Sequence, residues 1–159
     1  MVIGVISDTH GLLRDEAVEA LRGVDRILHA GDVGGADILA RLEEVAPLVA
    51  IRGNTDHGAL GEGLSDTEMV DLGGSEGPFA YIVHDIEDLD IDPEAAGVSV
   101  VVYGHSHRPA IEHRGGVLFF NPGAAGHRRF SLPITVGRLT LRDDGIEAEI
   151  IDLEAGGPL

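Results

Sequence analysis

The sequence predicts an α/β fold in which two packed, mixed β-sheets are flanked by helices in a four-layer arrangement. Three observations carry that prediction. β-Branched runs alternate with helical patterns through the first third of the chain, the second half holds strand candidates but no helix of comparable quality, and 159 residues is the length of one domain. A chain of roughly 150 residues buries about 70% of its unfolded surface, enough for a real core.

Residues 2–7 read as a buried strand, residues 15–22 as a helix with Ala17, Val18 and Leu21 on its apolar face, and residues 26–30 as a second strand. Residues 36–45 place Ile38, Leu39, Leu42 and Val45 on one helical face ahead of Pro47, and residues 48–51 form a third strand. This β-α-β-α-β order implies a parallel sheet with right-handed crossovers. Residues 53–77 are rich in Gly, Asp and Ser and read as surface loops around one short strand candidate at residues 68–72. Residues 79–83 and 98–103 are strands separated by an acidic turn over residues 85–97, and residues 117–120, 134–141 and 146–153 follow with turn signals between them. So many strands after so few helices fit two layers of sheet better than one doubly wound sheet. The domain is expected over residues 1–154, with residues 155–159 as a loose tail.

Composition removes much chemistry. Cysteine is absent, which excludes disulfides, thiol nucleophiles and iron–sulfur clusters. All 11 basic residues are Arg, so a Walker A loop or a Schiff-base enzyme lacks its lysine. Asp and Glu number 28, the net charge is −17, and long nucleic acid or an anionic membrane surface is disfavoured as a partner. The apolar start of the chain has no basic flank and stops at Asp8, so neither a signal peptide nor a membrane anchor is expected there, and a cytoplasmic location is.

Five strands run into polar residues able to bind a metal. Residues 2–7 lead into Asp8-Thr9-His10, residues 26–30 into Gly31-Asp32, residues 48–51 into Arg52-Gly53-Asn54, residues 79–83 into His84, and residues 98–103 into Gly104-His105-Ser106-His107. Each ending alone reads as a helix cap, a turn or a surface histidine. Together they are a set of oxygen and nitrogen donors suited to two divalent cations, because the carboxyl ends of parallel strands form the crevice where ligands bind.

Asp-x-His, Gly-Asp, Gly-Asn, a lone His and Gly-His-x-His, in this order on this framework, resemble the calcineurin-like metallophosphoesterases, in particular the compact YfcE-type phosphodiesterases. Asn121-Pro122-Gly123 is similar to that branch's Asn-Pro-Gly turn. The resemblance implies a metallophosphoesterase-type β-sandwich and two divalent ions, with Mn expected first and Fe, Ni, Co or Zn also accepted. It implies one ion held by Asp8, His10, Asp32 and His107 and a second held by Asp32, Asn54, His84 and His105. Asp32 would bridge, and a hydroxide between the ions would be the nucleophile; Asp32, Asn54 and His105 are then also the residues closest to the reaction.

The chain departs from the wider superfamily after Asn54. Many members carry a His there that protonates the leaving oxygen, whereas this sequence reads Thr55-Asp56. His57 is the nearest substitute, unless it is an exposed loop histidine. Asp85 follows His84 and reads either as the partner of a ligating imidazole or as a helix cap. Thr55, Asp56, His57, Arg108 and Arg128, with Arg129, are candidates for substrate contact, against the ordinary reading of surface polar groups; His29, His113 and His127 read as structural.

The function expected is hydrolysis of phosphodiesters, and less readily monoesters, on a small phosphorylated substrate at an open site. Specificity is expected from loops such as residues 58–66 or from the neighbouring subunit of a homo-oligomer. The rivals are a metal-binding scaffold of the same fold, like the retromer subunit, and a nuclease, which requires a basic groove that this composition makes hard to build.

Overall fold

The computed structural model describes residues 1–74 and 76–159. Its strands are β1 (Val2–Ile6), β2 (Arg26–His29), β3 (Leu48–Ala50), β4 (Thr67–Asp71), β5 (Phe79–Val83), β6 (Val98–Val102), β7 (Ala110–Arg114), β8 (Val117–Asn121), β9 (Thr135–Arg142), β10 (Gly145–Asp152) and β11 (Gly157–Pro158). The helices are α1 (Asp15–Ala20), α2 (Ala36–Glu43) and α3 (Gly58–Glu62), with a single 3-10 turn at Ile86–Asp88.

Two sheets form, in the orders β11-β10-β9-β1-β2-β3 and β4-β5-β6-β8-β7. The period of two in each strand divides the core. Ile3, Val5, Leu28 and Ile51 of the first sheet meet Ala80, Ile82, Val100, Val102 and Phe120 of the second in the central layer. Alternate residues such as Ile6, Ile27 and Val136 face outward against Ala17 and Leu21 near α1 and Ile38 and Leu42 of α2. The outer face of the second sheet, with Tyr81, Val101 and Phe119, lies under Ile86, Leu89 and Ile91. The fourth layer is therefore this acidic segment and its 3-10 turn.

The strand directions position the site. β1, β2 and β3 are mutually parallel in one sheet, and β5, β6 and β8 are parallel in the other. The two parallel sets release their carboxyl ends at a common rim, where the metal-binding motifs converge.

One strand was not anticipated, and two expectations are corrected. β7, AIEHR, is an edge strand exposed over most of its length, so it carries no buried alternation to read, and pairing with β8 alone defines it. Within residues 53–77, α3 interrupts the expected loops, while Ser75 lies outside the described residues. Residues 155–159, expected as a tail, turn back so that Gly157 and Pro158 pair with Asp152 and Ile151, and the Leu159 amide donates to the Ile150 carbonyl at 2.9 Å.

Candidate metal centre

The loop after β1 and the loop after β2 are zipped together by their backbones. The amide of Asp8 donates to the Gly31 carbonyl (3.0 Å), that of His10 to Asp32 (2.9 Å) and that of Gly11 to Val33 (2.9 Å). Among the described residues, six other than glycine have left-handed backbones, and five of them are Asp8, His10, Asp32, His105 and His107. Each such conformation costs on the order of 1 kcal/mol and persists only where the surroundings enforce it. Neighbouring glycines make the approach feasible: a Cβ at Gly53 would stand 2.1 Å from Asp32 Oδ1, and one at Gly104 would stand 2.6 Å from Asp8 Oδ2.

The side chains form two groups, Asp8, His10 and His107, and Asp8, Asp32 and His84. Asp8 Oδ1 lies 3.4 Å from His107 Nε2, 3.6 Å from His10 Nε2 and 3.9 Å from His84 Nε2. Asp32 Oδ2 lies 3.1 Å from His84 Nε2 and 3.6 Å from His10 Nε2. His10 and His107 bring their Nε2 atoms within 3.3 Å of each other. Asn54 Oδ1 and His105 Nδ1 stand together at 3.2 Å, and the His105 ring meets the His84 ring edge-on. All seven predicted ligands thus reach one rim, with Asn54 and His105 on its outer, exposed side.

The free oxygens are selected by hydrogen bonding. Asp8 Oδ2 accepts from the Ser7 hydroxyl (2.7 Å) and the His105 amide (3.1 Å), which leaves Oδ1 for the cavity. Asp32 Oδ1 accepts from the Thr55 amide (2.9 Å), which leaves Oδ2. His84 Nδ1 donates to the Ala30 carbonyl at 2.7 Å, so Nε2 faces the carboxylates.

Burial pushes the Asp8 and Asp32 carboxyls up, yet the imidazoles around them more than reverse this: Asp8 is held well below the usual carboxylate range and Asp32 down to about 2. Burial likewise pulls His84 down, and Asp32 and Asp8 outweigh it, raising His84 to about 9. The Asp8 carboxylate raises His10, opposed by burial and by the Arg129 charge. Acids held low beside bases held high describe a cavity that demands positive charge.

Asp8 Oδ1, His84 Nε2 and His107 Nδ1 are buried without a hydrogen-bond partner. Native interiors rarely tolerate such atoms, and two of these three are aimed at the shared centre. Carboxylate, imidazole and amide donors of this kind fit divalent cations.

The substrate-contact candidates separate. Asp56 is buried, and its two oxygens accept from the amides of Gly53 (2.9 Å), Gly34 (3.0 Å) and Val33 (3.1 Å). It therefore clamps the Asp32 loop to the Asn54 loop, and a substrate contact is corrected to a positioning role. Arg128 is spent on Glu154 and the Leu132 carbonyl, while its neighbour Arg129 is the one whose charge reaches His10. Arg108, His57 and Thr55 are exposed around the rim. Asp85 caps the Glu87 amide through Oδ1 (3.0 Å), and its Oδ2 lies 3.5 Å from His105 Nε2.

His29 is fully buried and structural as expected. Its Nδ1 accepts from the Gly31 amide (3.1 Å); because the Thr9 hydroxyl gives its only proton to the Val33 carbonyl, His29 Nε2 donates to Thr9 (3.0 Å). His113, on β7, and His127 are exposed.

Sequence reasoning missed the part played by Asn121. Its Nδ2 donates to the Gly104 carbonyl (3.1 Å) and the Ser106 hydroxyl (3.2 Å), and its Oδ1 accepts from the Gly123 amide (2.9 Å). It stands at the carboxyl end of β8, a sixth strand ending at the same rim, and the signal was its place in that series.

The model of the calcineurin-like phosphoesterase superfamily domain matches residues 1–144. The chain belongs to this superfamily. A probable metallophosphoesterase of Methanocaldococcus jannaschii is 34% identical over 97% of this chain and 82% of its own length. A phosphodiesterase of the same organism is 29% identical over 77% of this chain and 83% of its own. Among solved structures, the Escherichia coli phosphoesterase YfcE superposes with a TM-score of 0.73 at 26% identity, covering 100% of this chain and 97% of that one. Vacuolar protein sorting 29 of Cryptosporidium parvum superposes with a TM-score of 0.80 at 19% identity, covering 99% of this chain and 94% of that one, which is a likeness of fold alone.

Proposed function

We propose that this superfamily member hydrolyses phosphodiesters of small molecules with two divalent metal ions, Mn expected first and Fe, Ni, Co or Zn accepted by the same donors. The observation that carries the reading is that the two ligand groups share Asp8, while Asp32 Oδ2 lies between His84 (3.1 Å) and His10 (3.6 Å), one histidine from each group. Asp8, His10, Asp32 and His107 would hold one ion, and Asp32, Asn54, His84 and His105 the other. Bound there, such ions withdraw charge from phosphoryl oxygens and make hydroxide available near neutral pH.

The chain's own residues supply orientation and charge. Two carboxylates are the only anions of the donor set, so two divalent ions keep a positive balance that attracts phosphate. The Ala30 carbonyl fixes the His84 ring, and Asp56 fixes the spacing between Asp32 and Asn54. Arg129, exposed on the loop stitched to Asp8 by the Gly126 amide (3.3 Å), would offer its charge to an anionic substrate at the rim. Thr55 cannot serve as the acid that a histidine would supply, which favours good leaving groups.

A panel of phosphomonoesters, phosphodiesters, cyclic nucleotides and oligonucleotides, each with Mn and with chelator, tests the proposal. Diesters are expected to turn over with Mn and not with chelator. Silence across the panel with Mn would overturn it in favour of a scaffold, and a preference for oligonucleotides would overturn it in favour of a nuclease.

A further inference from the structure

The amide of Gly104 donates to the His84 carbonyl at 2.9 Å, which ties the chain leaving β5 to the chain leaving β6. These strands are parallel, so the next residues, Asp85 and His105, emerge side by side. Asp85 has one oxygen to spare. Its Oδ1 accepts from the Glu87 amide (3.0 Å) at the start of the 3-10 turn, and its Oδ2 lies 3.5 Å from His105 Nε2. The neighbouring His84 is not its partner, because His84 Nδ1 donates to the Ala30 carbonyl (2.7 Å) and Nε2 lies 3.1 Å from Asp32 Oδ2. Among the described residues, His105 is the only histidine within ion-pair distance of Asp85.

The His105 ring is steered from its other sides as well. Its backbone is left-handed, its amide donates to Asp8 Oδ2 (3.1 Å), and the ring meets that of His84 edge-on with centroids 5.3 Å apart. Its Nδ1 stands 3.2 Å from Asn54 Oδ1. Two lone pairs that close repel unless a proton or a cation lies between them, so a ring that gives Nδ1 to a cation carries its proton on Nε2, the nitrogen that faces Asp85.

We infer that Asp85 is a positioning residue for the second metal site, its Oδ2 accepting the Nε2 proton of His105 and so turning Nδ1 toward Asn54 as the stronger donor. The inference rests on the two-metal reading and adds to it a residue that sets the affinity of one site. His105 is 45% exposed and Asp85 27%, so an ion pair between them would add little. The contact acts on a neutral ring instead, fixing its orientation and its proton, and partners of this kind are worth about ten- to hundredfold in metal affinity.

Asp85→Asn and Asp85→Ser test it, since each keeps an oxygen for the Glu87 amide while removing the carboxylate from His105. Calorimetric titration of the metal-stripped proteins with Mn is expected to show affinity for one ion lowered by about tenfold or more in both variants, and affinity for the other within about twofold of the parent. The melting temperature of the stripped variants is expected to match that of the parent, which separates lost positioning from a lost cap. In the Zn-loaded parent, nitrogen-15 NMR of the imidazoles, with His105 assigned by its loss in His105→Asn, is expected to show Nδ1 bound and Nε2 protonated. Unchanged affinities in both variants, an equal loss for both ions, or a His105 bound through Nε2 would overturn the inference and leave the two-metal reading intact. A parent protein that binds fewer than two Mn ions would overturn both.

Discussion

His84 presents Nε2 to Asp32 Oδ2 at 3.1 Å because its other ring nitrogen is committed to the carbonyl of Ala30. Asp32 Oδ2 also reaches His10 at 3.6 Å, so one oxygen touches an imidazole from each ligand group. Removing its charge should weaken both. In Asp32→Asn, metal analysis is expected to show the second ion lost, with activity down by roughly a hundredfold or more. Two full sites and near-normal turnover would refute the bridging role.

Asn121 is a buried amide whose three hydrogen bonds fasten the loop bearing His105 and His107. Asn121→Ala strands the Gly123 amide and removes one of the two donors to the Gly104 carbonyl, which keeps the Ser106 amide (2.8 Å), and is expected to cost about 1–3 kcal/mol in denaturant unfolding. Metal affinity should fall with it, because the loop's left-handed residues lose their anchor. Unchanged affinity measured calorimetrically would make Asn121 a purely structural residue.

His29 predicts a pH effect. Burial pushes it down to about 4, against an ordinary value near 6.5. The unfolded chain therefore takes up a proton between these values while the folded chain does not, so stability is full above pH 6.5 and falls as pH drops toward 4. Between pH 7 and pH 5 this group accounts for about 2 kcal/mol. His29→Gln, which keeps a donor toward Thr9, is expected to lose that much less over the same interval; parallel curves for the two proteins would contradict the assignment.

Thr55 in place of an acid predicts that the leaving alkoxide departs without a positioned proton. Rates should fall steeply as leaving-group pKa rises, so nitrophenyl diesters should react far faster than alkyl diesters. Similar rates would reveal another acid, with His57→Ala the first variant to assay.

What the sequence disclosed was local. Asp8, Asp32 and His84 each follow a run of apolar residues, so the ligands and their common rim could be read from strand endings. What it withheld depends on chain conformation. Arg128 and Arg129 are adjacent and identical in type, and only the path of the loop ties one to Glu154 and leaves the other exposed. Asp56 looked like a rim residue because its sequence position is beside Asn54, whereas the backbone turns it inward beneath three amides. The left-handed backbones of Asp8, His10, Asp32, His105 and His107 had no signal beyond the flanking Gly11, Gly31 and Gly104. Edge strand β7 had no apolar face to announce it.

The most direct measurement is calorimetric titration of the metal-stripped protein with Mn, with the melting temperature followed alongside. The account predicts two ions bound per chain and a rise in melting temperature; a site filled to 100 times its Kd adds about 2.7 kcal/mol to stability. A protein that binds no Mn, and whose melting temperature ignores both Mn and chelator, would contradict it.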